Sequence, residues 1–183
     1  CPNCPPQNPV PVLPIVAPGA GTVTWILQQS GAVVDQKVMV QMTGDFYYYL
    51  DHVILDPGIQ VGTRITAGQR MGSSTGIAMA LGVMFEAVTL AGFVNPARYA
   101  GQTLHTDSPF KYFSEPLKTQ LYALVRRNAP DKDGRIDYDV RGRLIGNWFH
   151  ESVAIADSMG PTAWPKQLAF CPDSNEPSQM RIS

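Results

Sequence analysis

The amino-acid sequence predicts a mainly β protein of the α+β class: an antiparallel sheet followed by an extension with one helix and further strands. Two observations favour this class. The 183 residues include 16 Gly and 16 Pro, which is typical of many turns between short strands. Apolar, β-branched and aromatic runs alternate with such turns over residues 19–94, whereas helical spacing of apolar residues occurs further along, over 115–128.

An extended arm is predicted for residues 1–18, which contain seven prolines and no charged residue. Proline fixes φ and removes a backbone donor, so the arm cannot be a helix. We expect it to lie on the body of the protein, and it is a candidate for self-association with a neighbouring copy.

Three cysteines are present: Cys1 and Cys4 in the arm, and Cys171 near the other end. A zinc site made from the CPNC pair would need two further soft ligands, and one other cysteine exists. We therefore expect a disulfide or free thiols. The chain opens on Cys1, which indicates a processed or trimmed terminus, and a mature Cys1 would be the lipid-bearing residue of a bacterial lipoprotein.

A compact β domain is predicted over residues 19–94. Its strands are expected at 22–29, 36–42, 46–55, 59–65 and 81–88, from β-branched and aromatic runs bounded by turn residues. Thr43-Gly44-Asp45 marks a hairpin turn, and the glycines at 62, 68 and 72 mark bends.

The remaining residues, 95–183, are predicted to form an extension packed on the β domain. A helix is expected over about 115–128, with Ser114 as its cap and Leu117, Leu121 and Leu124 on one buried face. Two strands, at 142–151 and 166–171, are expected to follow.

The middle of the β domain carries a motif with a known parallel. Gly62-x-x-Ile65-x-x-Gly68-Gln69-x-Met71-Gly72, followed by Phe85-Glu86, resembles the LytM or lysostaphin-type zinc endopeptidases more closely than the biotinyl and lipoyl carrier domains. The resemblance covers roughly residues 17–90. It implies a LytM-like, barrel-sandwich type of antiparallel sheet.

The same resemblance implies where zinc would be bound, and those positions lack ligands. The family's Tyr-x-His-Leu histidine falls on Tyr49, its His-x-His pair falls on Gly82 and Met84, and its earlier His-x-x-x-Asp segment falls on residues 1–18, which contain neither residue. We expect a degenerate, non-catalytic domain with no zinc. The resemblance then suggests a glycan or peptide ligand, with peptidoglycan as one candidate, contacted by Tyr47, Tyr49 and Glu86 outside the cell or in its envelope.

Other metal candidates are few. Asp51 and His52 are adjacent on a predicted strand, so we expect them to point to opposite faces and not to chelate together. His105 and Asp107 are two apart and would share a face. The acidic segment 131–139 has its glycine at the fourth position, whereas an EF-hand needs it at about the sixth, so calcium is not expected either.

Two alternatives stay open beside ligand recognition. One is a hydrolase with a non-standard site. It could be a divergent metallopeptidase whose metal ligands lie outside the matched positions, or an esterase-like enzyme that uses Ser74, whose Gly-Ser-Ser-Thr-Gly setting has the spacing of a nucleophile elbow, with His105 or His150. A structural or assembly module is the other. A charged fraction of 16% and a net charge of −1 exclude a nucleic-acid footprint, and no apolar run is long enough to span a bilayer.

Overall fold

The structure, a computed structural model, describes residues 11–29, 34–76, 78–158, 160 and 162–183. The chain forms two compact units, whose boundary in the sequence lies between Glu86 and Ala87. Cys1, Cys4 and the first ten residues of the predicted arm lie outside the described residues, so cysteine pairing and self-association through the arm stay predictions. No helix in the described ranges is long and apolar enough to cross a membrane.

The described part of the first unit contains seven strands: β1 (Pro14–Val16), β2 (Gly21–Gln28), β3 (Gln36–Gln41), β4 (Phe46–Leu55), β5 (Arg64–Ile65), β6 (Arg70–Ser74) and β7 (Ala80–Phe85). They form one antiparallel sheet in the order β1-β6-β4-β3-β2-β5, and β7 also pairs with β4. The mainly β, antiparallel class predicted from the sequence is confirmed.

Strand β4 is the centre of this sheet. One of its edges pairs with β3. Its other edge is shared, because β7 pairs with the first part, from Phe46 to Asp51, and β6 pairs with the end, from Val53 to Leu55. The sequence predicted the bounds of β4 correctly, since the run of aromatic and β-branched residues is bounded by turn residues on both sides.

One face of the sheet forms an apolar core. Alternate residues of β3 and β4 point into it, so that Val38, Val40, Tyr48 and Leu50 are each at most 2% exposed. Val53 of β4 and side chains from the other strands and the connecting segments complete the cluster: Ala17, Val23, Ile59, Ile65, Met71 and Val83. The Tyr48 hydroxyl donates to the Gly19 carbonyl at 3.2 Å, so its polar atom is paired inside the core.

The glycine-rich segment differs from its predicted form. The strand expected over 59–65 is reduced to the two residues of β5, because turns at Ile59 and Thr63 occupy the rest. Strand β6 was predicted as bends. Its Gly72 has φ +152°, and a Cβ there would lie 2.0 Å from the Ile54 carbonyl oxygen. Glycine therefore permits the close approach of β6 to β4 and does not mark a break.

The second unit is built from shorter elements. Its strands are β8 (Thr106–Asp107), β9 (Gly146–Phe149), β10 (Gln167–Pro172) and β11 (Met180–Ile182), and its α-helices are α1 (Gly101–Leu104) and α2 (Leu117–Leu124). Short 3-10 helices lie at Pro96–Arg98, Pro109–Tyr112, Ile155–Asp157 and Trp164–Lys166. Strands β9, β10 and β11 form an antiparallel sheet in the order β11-β10-β9.

Helix α2 is shorter than the predicted 115–128, and its apolar face is not a core face. Leu117 is 45% exposed, Leu121 is half-buried and Leu124 is 77% exposed, so the expectation that these three leucines form a buried face is wrong. The helix begins after Pro116 and ends at Val125, whose backbone is extended. Two turns are too few to form a continuous apolar stripe, and such a helix depends on its neighbours for stability. The Glu115 carboxylate, and not Ser114, accepts from the Thr119 N–H at 3.2 Å.

Candidate functional site

An aromatic row crosses the outer face of the first unit's sheet. Trp25 lies opposite Met39, Met39 lies opposite Tyr49, and Tyr49 lies opposite Gly82, on β2, β3, β4 and β7 in turn. Side chains of directly opposed residues project to the same face of an antiparallel sheet. With strands about 4.8 Å apart, the row is roughly 14 Å wide. Trp25 is 42% exposed, and the face that carries the row lies opposite the apolar core.

Tyr49 lies flat over Gly82. A Cβ at position 82 would be 2.0 Å from the ring carbon Cζ of Tyr49, so any residue other than glycine would displace the ring. The Lys37 ammonium lies over the Tyr49 ring, 4.2 Å from its centroid. The half-buried Tyr49 side chain therefore contacts both a glycine and a cation.

Tyr47 lies on the same face, two residues before Tyr49. Its hydroxyl accepts from the Gln41 side-chain amide at 2.9 Å and donates to the Gly44 carbonyl at 3.3 Å. Met84 is opposite Tyr47 on β7. Tyr47 and Tyr49 thus form one half-buried aromatic surface with Met39 and Met84, as the alternation of β4 predicted.

A β-bulge in β4 changes the expected geometry of Asp51 and His52. The register between β3 and β4 shifts between Gln36 and Val38, so two residues of β4 face one residue of β3. His52 has φ +61°, in the left-handed region. The expectation that Asp51 and His52 point to opposite faces is wrong, because strict alternation fails at a bulge.

The bulge brings His52 and Asp51 together with Asp35. The His52 ring Nδ1 is 2.8 Å from Asp35 Oδ2, and one ligand atom of each of the three residues lies within 4.8 Å of the others. We call Asp35, Asp51 and His52 the bulge cluster. All three side chains are half-buried.

Two further polar side chains contact the bulge cluster. Gln29 Nε2 donates to Asp51 Oδ1 at 2.6 Å, and Lys37 Nζ is 3.4 Å from Asp51 Oδ2. Lys37 therefore contacts both the Asp51 carboxylate and the Tyr49 ring, which makes the bulge cluster a polar edge of the aromatic row. A metal ion at the bulge cluster would compete with Lys37 for Asp51 and with the direct His52–Asp35 contact.

The other predicted metal candidates do not converge. His105 Nδ1 is 2.6 Å from the Val88 carbonyl, and its ring is committed to that contact. Asp107 accepts from Lys111 Nζ at 2.6 Å and from the Tyr112 hydroxyl at 2.8 Å. Burial raises the pKa of Asp107, but the hydrogen bonds from Lys111, Tyr112 and the Ser108 N–H outweigh it and hold the pKa below its usual value. Both side chains serve local structure.

Ser74 is not a nucleophile on an elbow. It is 3% exposed, lies on β6 and hydrogen-bonds to the arm: its hydroxyl accepts from the Leu13 N–H at 3.0 Å and donates to the Pro11 carbonyl at 3.4 Å. The hypothesis that Ser74 is an esterase-like nucleophile is therefore wrong. In the acidic segment, Asp137 and Asp139 accept from the backbone N–H groups of Gly92 and Val94.

Glu86 follows β7 directly and is exposed. Its backbone N–H donates to the Asp45 carbonyl at 3.0 Å, which closes the turn beside Tyr47. Within the described ranges, its carboxylate has no hydrogen-bond or ion-pair partner. It stays a predicted ligand contact at one end of the aromatic face.

The zinc ion implied by the LytM-type resemblance does not fit the residues at the implied positions. Tyr49 and Gly82 are in contact, and Met84 is opposite Tyr47, so the positions do lie together on β4 and β7. Tyr49 offers a phenol, Met84 offers a thioether, and Gly82 has no side chain. Zinc in proteins is bound by thiolate, imidazole or carboxylate groups. No hydrolytic step can be assigned to zinc there.

Three solved structures are similar to part of this chain. The catalytic domain of the prophage-encoded M23 protein EnpA from Enterococcus faecalis matches at 24% identity with a TM-score of 0.33, over 39% of this chain and 58% of that one. CbpA from L. salivarius REN matches at 22% identity and a TM-score of 0.32, over 39% and 46% of the two chains. LytU matches at 24% identity and a TM-score of 0.32, over 39% and 53%.

Each of these matches covers about two fifths of this chain. This chain spans about half the length of the solved chains that it matches. No protein-family model matches the sequence, and no curated protein does.

Several residues of the aromatic face and its polar edge were missed from the sequence: Trp25, Gln29, Asp35, Lys37 and Met39. A signal for part of the set existed. The hairpin turn at Thr43-Gly44-Asp45 and the alternation of β3 together place Gln41 opposite Tyr47 and Met39 opposite Tyr49. Asp35 had no such signal, because its contact with His52 depends on the bulge.

Proposed function

We propose that the first unit is a non-catalytic recognition module that binds a glycan or a peptide on the aromatic face of its sheet, outside the cell or in its envelope. The observation that carries this proposal is the row Trp25–Met39–Tyr49 with a polar edge at Lys37 and Asp51. Aromatic rings contribute large contact area at low entropic cost, and flanking polar groups orient a ligand.

The chemistry of the row suits sugars and peptides for a physical reason. Trp25 is 42% exposed, so a sugar ring or a peptide side chain can stack on it. Tyr49 is fixed by Gly82 and Lys37, so little conformational freedom is lost when a ligand packs against the exposed part of its ring. Carboxylates and an amide lie beside it and can accept or donate hydrogen bonds to hydroxyl or peptide groups. The surface presents stacking and hydrogen bonding together.

The test is a binding titration of the full chain with peptidoglycan fragments, chito-oligosaccharides and short peptides, followed by variants. Tyr49→Ala should weaken binding by about 1 kcal/mol or more, which is roughly fivefold or more, and Trp25→Ala should also weaken it. Tyr49→Phe keeps the stacking ring and should retain most of the affinity. Trp164→Ala is the matched control, since Trp164 is an exposed aromatic of the second unit.

Two outcomes would contradict the proposal. One is that no member of the panel binds. The other is that Tyr49→Ala and Trp25→Ala bind as tightly as the unaltered chain, with unchanged circular dichroism.

Hydrolysis is a second candidate function, and one observation favours it. His52 is hydrogen-bonded to Asp35 at 2.8 Å, and an imidazole oriented by a carboxylate is a common general base. If the first unit hydrolyses its ligand, His52→Ala should abolish product release while binding remains. Binding without product release in the unaltered chain would exclude this candidate for the ligands tested.

Metal content tests a metal-dependent form of the hydrolase candidate. We expect no stoichiometric zinc after purification without added metal, because Tyr49, Gly82 and Met84 supply no imidazole. Elemental analysis is the measurement. About one zinc per chain, lost in His52→Ala or His105→Ala, would contradict this expectation and favour a metal-dependent hydrolase.

A further inference from the structure

A second candidate site, independent of the function proposed above, lies entirely within the second unit. A cavity of about 630 Å³ is formed by the segment that follows α2, from Val125 to Tyr138, and by β10, β11 and the turn between them. This volume is in the range of sites for small organic ligands, about 300–1,000 Å³. Val125, Ile136 and Pro172 contribute apolar wall, and the Tyr138 ring lies beneath the Arg135 guanidinium at 5.1 Å.

Four cationic side chains line this cavity: Arg127, Lys132, Arg135 and Arg181. Two of them are neutralised by acids of the same unit. Arg135 Nε is 3.0 Å from Asp137 Oδ1, and Arg181 Nε is 2.6 Å from Asp173 Oδ2.

The other two cations have no acidic partner in the described part of the chain. Arg127 donates to the Asp131 carbonyl at 2.8 Å and to the Ser174 carbonyl at 2.9 Å, and Lys132 donates to the Arg127 carbonyl. Carbonyl oxygens satisfy hydrogen bonds but carry no formal charge. Arg127 and Lys132 therefore leave two positive charges uncompensated at the cavity wall.

In the described part of the chain, no acid near the cavity forms an ion pair with Arg127 or Lys132. Asp133 lines the cavity, but its carboxylate accepts from the Tyr122 hydroxyl at 2.7 Å and lies 3.9 Å from Lys111 Nζ, and neither partner is a lining residue. Asp131 accepts from the Asp133 N–H within its own turn, and Glu176 accepts from the Asn128 amide. Asp131 and Glu176 do not line the cavity, and the one ion-pair contact of Asp133 among the described residues is with Lys111.

The cavity walls are tied to each other. The Asn128 N–H donates to the Asn175 carbonyl at 2.6 Å, and Arg127 reaches Ser174 in the same turn. These bonds hold the segment after α2 against the turn between β10 and β11. The two uncompensated cations therefore sit in a preformed setting, and less order has to be created on binding.

We propose that this cavity binds a small organic oxyanion, a phosphate or carboxylate on an apolar or aromatic body. The oxyanion is bound by Arg127 and Lys132 through charge-assisted hydrogen bonds, and the body packs against Tyr138 and Ile136. Cys171 has no disulfide partner among the described residues and lines the same cavity, so its rate of alkylation measures occupancy of the cavity.

The test uses the full chain with Cys1→Ser and Cys4→Ser, so that Cys171 is the remaining thiol. The rate of Cys171 alkylation is measured against concentration of four probes: phenyl phosphate, benzoate, inorganic phosphate and neutral benzyl alcohol. We expect saturable protection by phenyl phosphate or benzoate, weaker protection by inorganic phosphate and none by benzyl alcohol. Comparison of the first two probes tells whether phosphate or carboxylate is preferred.

Variants assign the effect to the two cations. Lys132→Gln and Arg127→Gln should each weaken protection by about tenfold, since each removes a hydrogen bond to a charged group. Arg127→Lys keeps the charge and should retain part of the affinity if Arg127→Gln proves unstable. Arg64→Gln, an exposed arginine of β5 in the first unit, makes the same charge change outside the cavity and should have no effect.

Salt supplies a further check, because binding of an oxyanion to exposed cations should weaken as ionic strength rises. Equal protection by benzyl alcohol and phenyl phosphate would overturn the proposal. So would the absence of protection by any anion, or undiminished protection in a chain that carries both Arg127→Gln and Lys132→Gln.

Discussion

The two units of this chain are stabilised in different ways. Among the described residues of the first unit, eleven apolar or aromatic side chains form one buried cluster. In the described part of the second unit, three apolar side chains are buried, Phe93, Val153 and Ala163, alongside the buried polar residues Asp137 and Ser158. One unit depends on apolar burial, and the other depends on polar side chains that bind backbone groups.

The second unit's polar interior follows from its short elements. Its chain turns often, so many backbone N–H groups have no strand partner and need side-chain acceptors. Asp137 accepts from the Gly92 N–H at 2.7 Å, and Arg98 donates to the Ser158 hydroxyl at 2.9 Å and the Val153 carbonyl at 3.1 Å. Buried polar groups stabilise such a unit only while every partner is present.

The largest expected effect is in the core of the first unit. Leu50 is 1% exposed, so Leu50→Ala should lower the free energy of unfolding by about 2–5 kcal/mol, through lost burial and the cavity left behind. Denaturant unfolding of the full chain is the measurement. Leu144→Ala, at a position 67% exposed in the second unit, is the control and should change stability by about 0.5 kcal/mol or less.

In the second unit, the largest effect should come from a polar residue. Asp137 is 7% exposed and also accepts from Arg135 Nε. Asp137→Asn removes the negative charge and replaces one of the two acceptor oxygens with an NH₂ group. We therefore expect the free energy of unfolding to fall by about 1–3 kcal/mol. Asp157→Asn, an exposed aspartate of the same unit, is the control. Equal, small losses for both would mean that the polar contacts contribute little.

Two buried phenols give a direct comparison. The Tyr48 hydroxyl is paired with Gly19, whereas the buried Tyr99 hydroxyl has no hydrogen-bond partner in the described residues. We expect Tyr48→Phe to cost about 0.5–1.5 kcal/mol in unfolding free energy, and Tyr99→Phe to be neutral or stabilising, because it removes an unpaired polar atom. A larger cost for Tyr99→Phe would show that its hydroxyl is paired in solution.

Alkaline pH tests the same pair. Burial raises the pKa of Tyr48 to about 12. Burial and the nearby Asp139 carboxylate raise the pKa of Tyr99 to about 12; the Asn147 side chain lowers it slightly but lies outside hydrogen-bonding geometry. Because both folded values exceed the unfolded value of about 10, the corresponding stability is present below pH ~10 and is lost as pH rises towards ~12. Each Phe variant should remove its own share of that loss.

The smallest effect is expected at acid pH and concerns the second unit. The folded pKa of Asp107 lies below its unfolded value, so its contribution is present above the unfolded pKa and is lost as pH falls through the folded one. Because the site is partly solvated, we expect Asp107 to contribute about 1 kcal/mol or less to the free energy of unfolding at pH 7, and to contribute nothing once it is protonated at acid pH. Unfolding of Asp107→Asn at both pH values is the check. Its stability should fall less with acid than that of the unaltered chain.

Local sequence was sufficient for part of the fold and of the site. The period of two in β3 and β4, with the turn between them, predicted both strands and placed Tyr47 and Tyr49 on one face. The residues at Tyr49, Gly82 and Met84 also indicated the lack of imidazole at the implied zinc positions without any coordinates. These features depend on residues a few positions apart, and such short-range patterns can be read directly from a sequence.

Tertiary structure decided the remainder, because it depends on pairing between distant residues. The β-bulge that brings His52 within hydrogen-bond distance of Asp35 forms because the register between β4 and β3 shifts. No local pattern in the sequence of β4 predicts that shift. Strand β6 forms because Gly72 permits close approach to the Ile54 carbonyl. Which cations of the second unit's cavity have an acidic partner is likewise decided by the tertiary structure, because the segments that form the cavity are far apart in sequence.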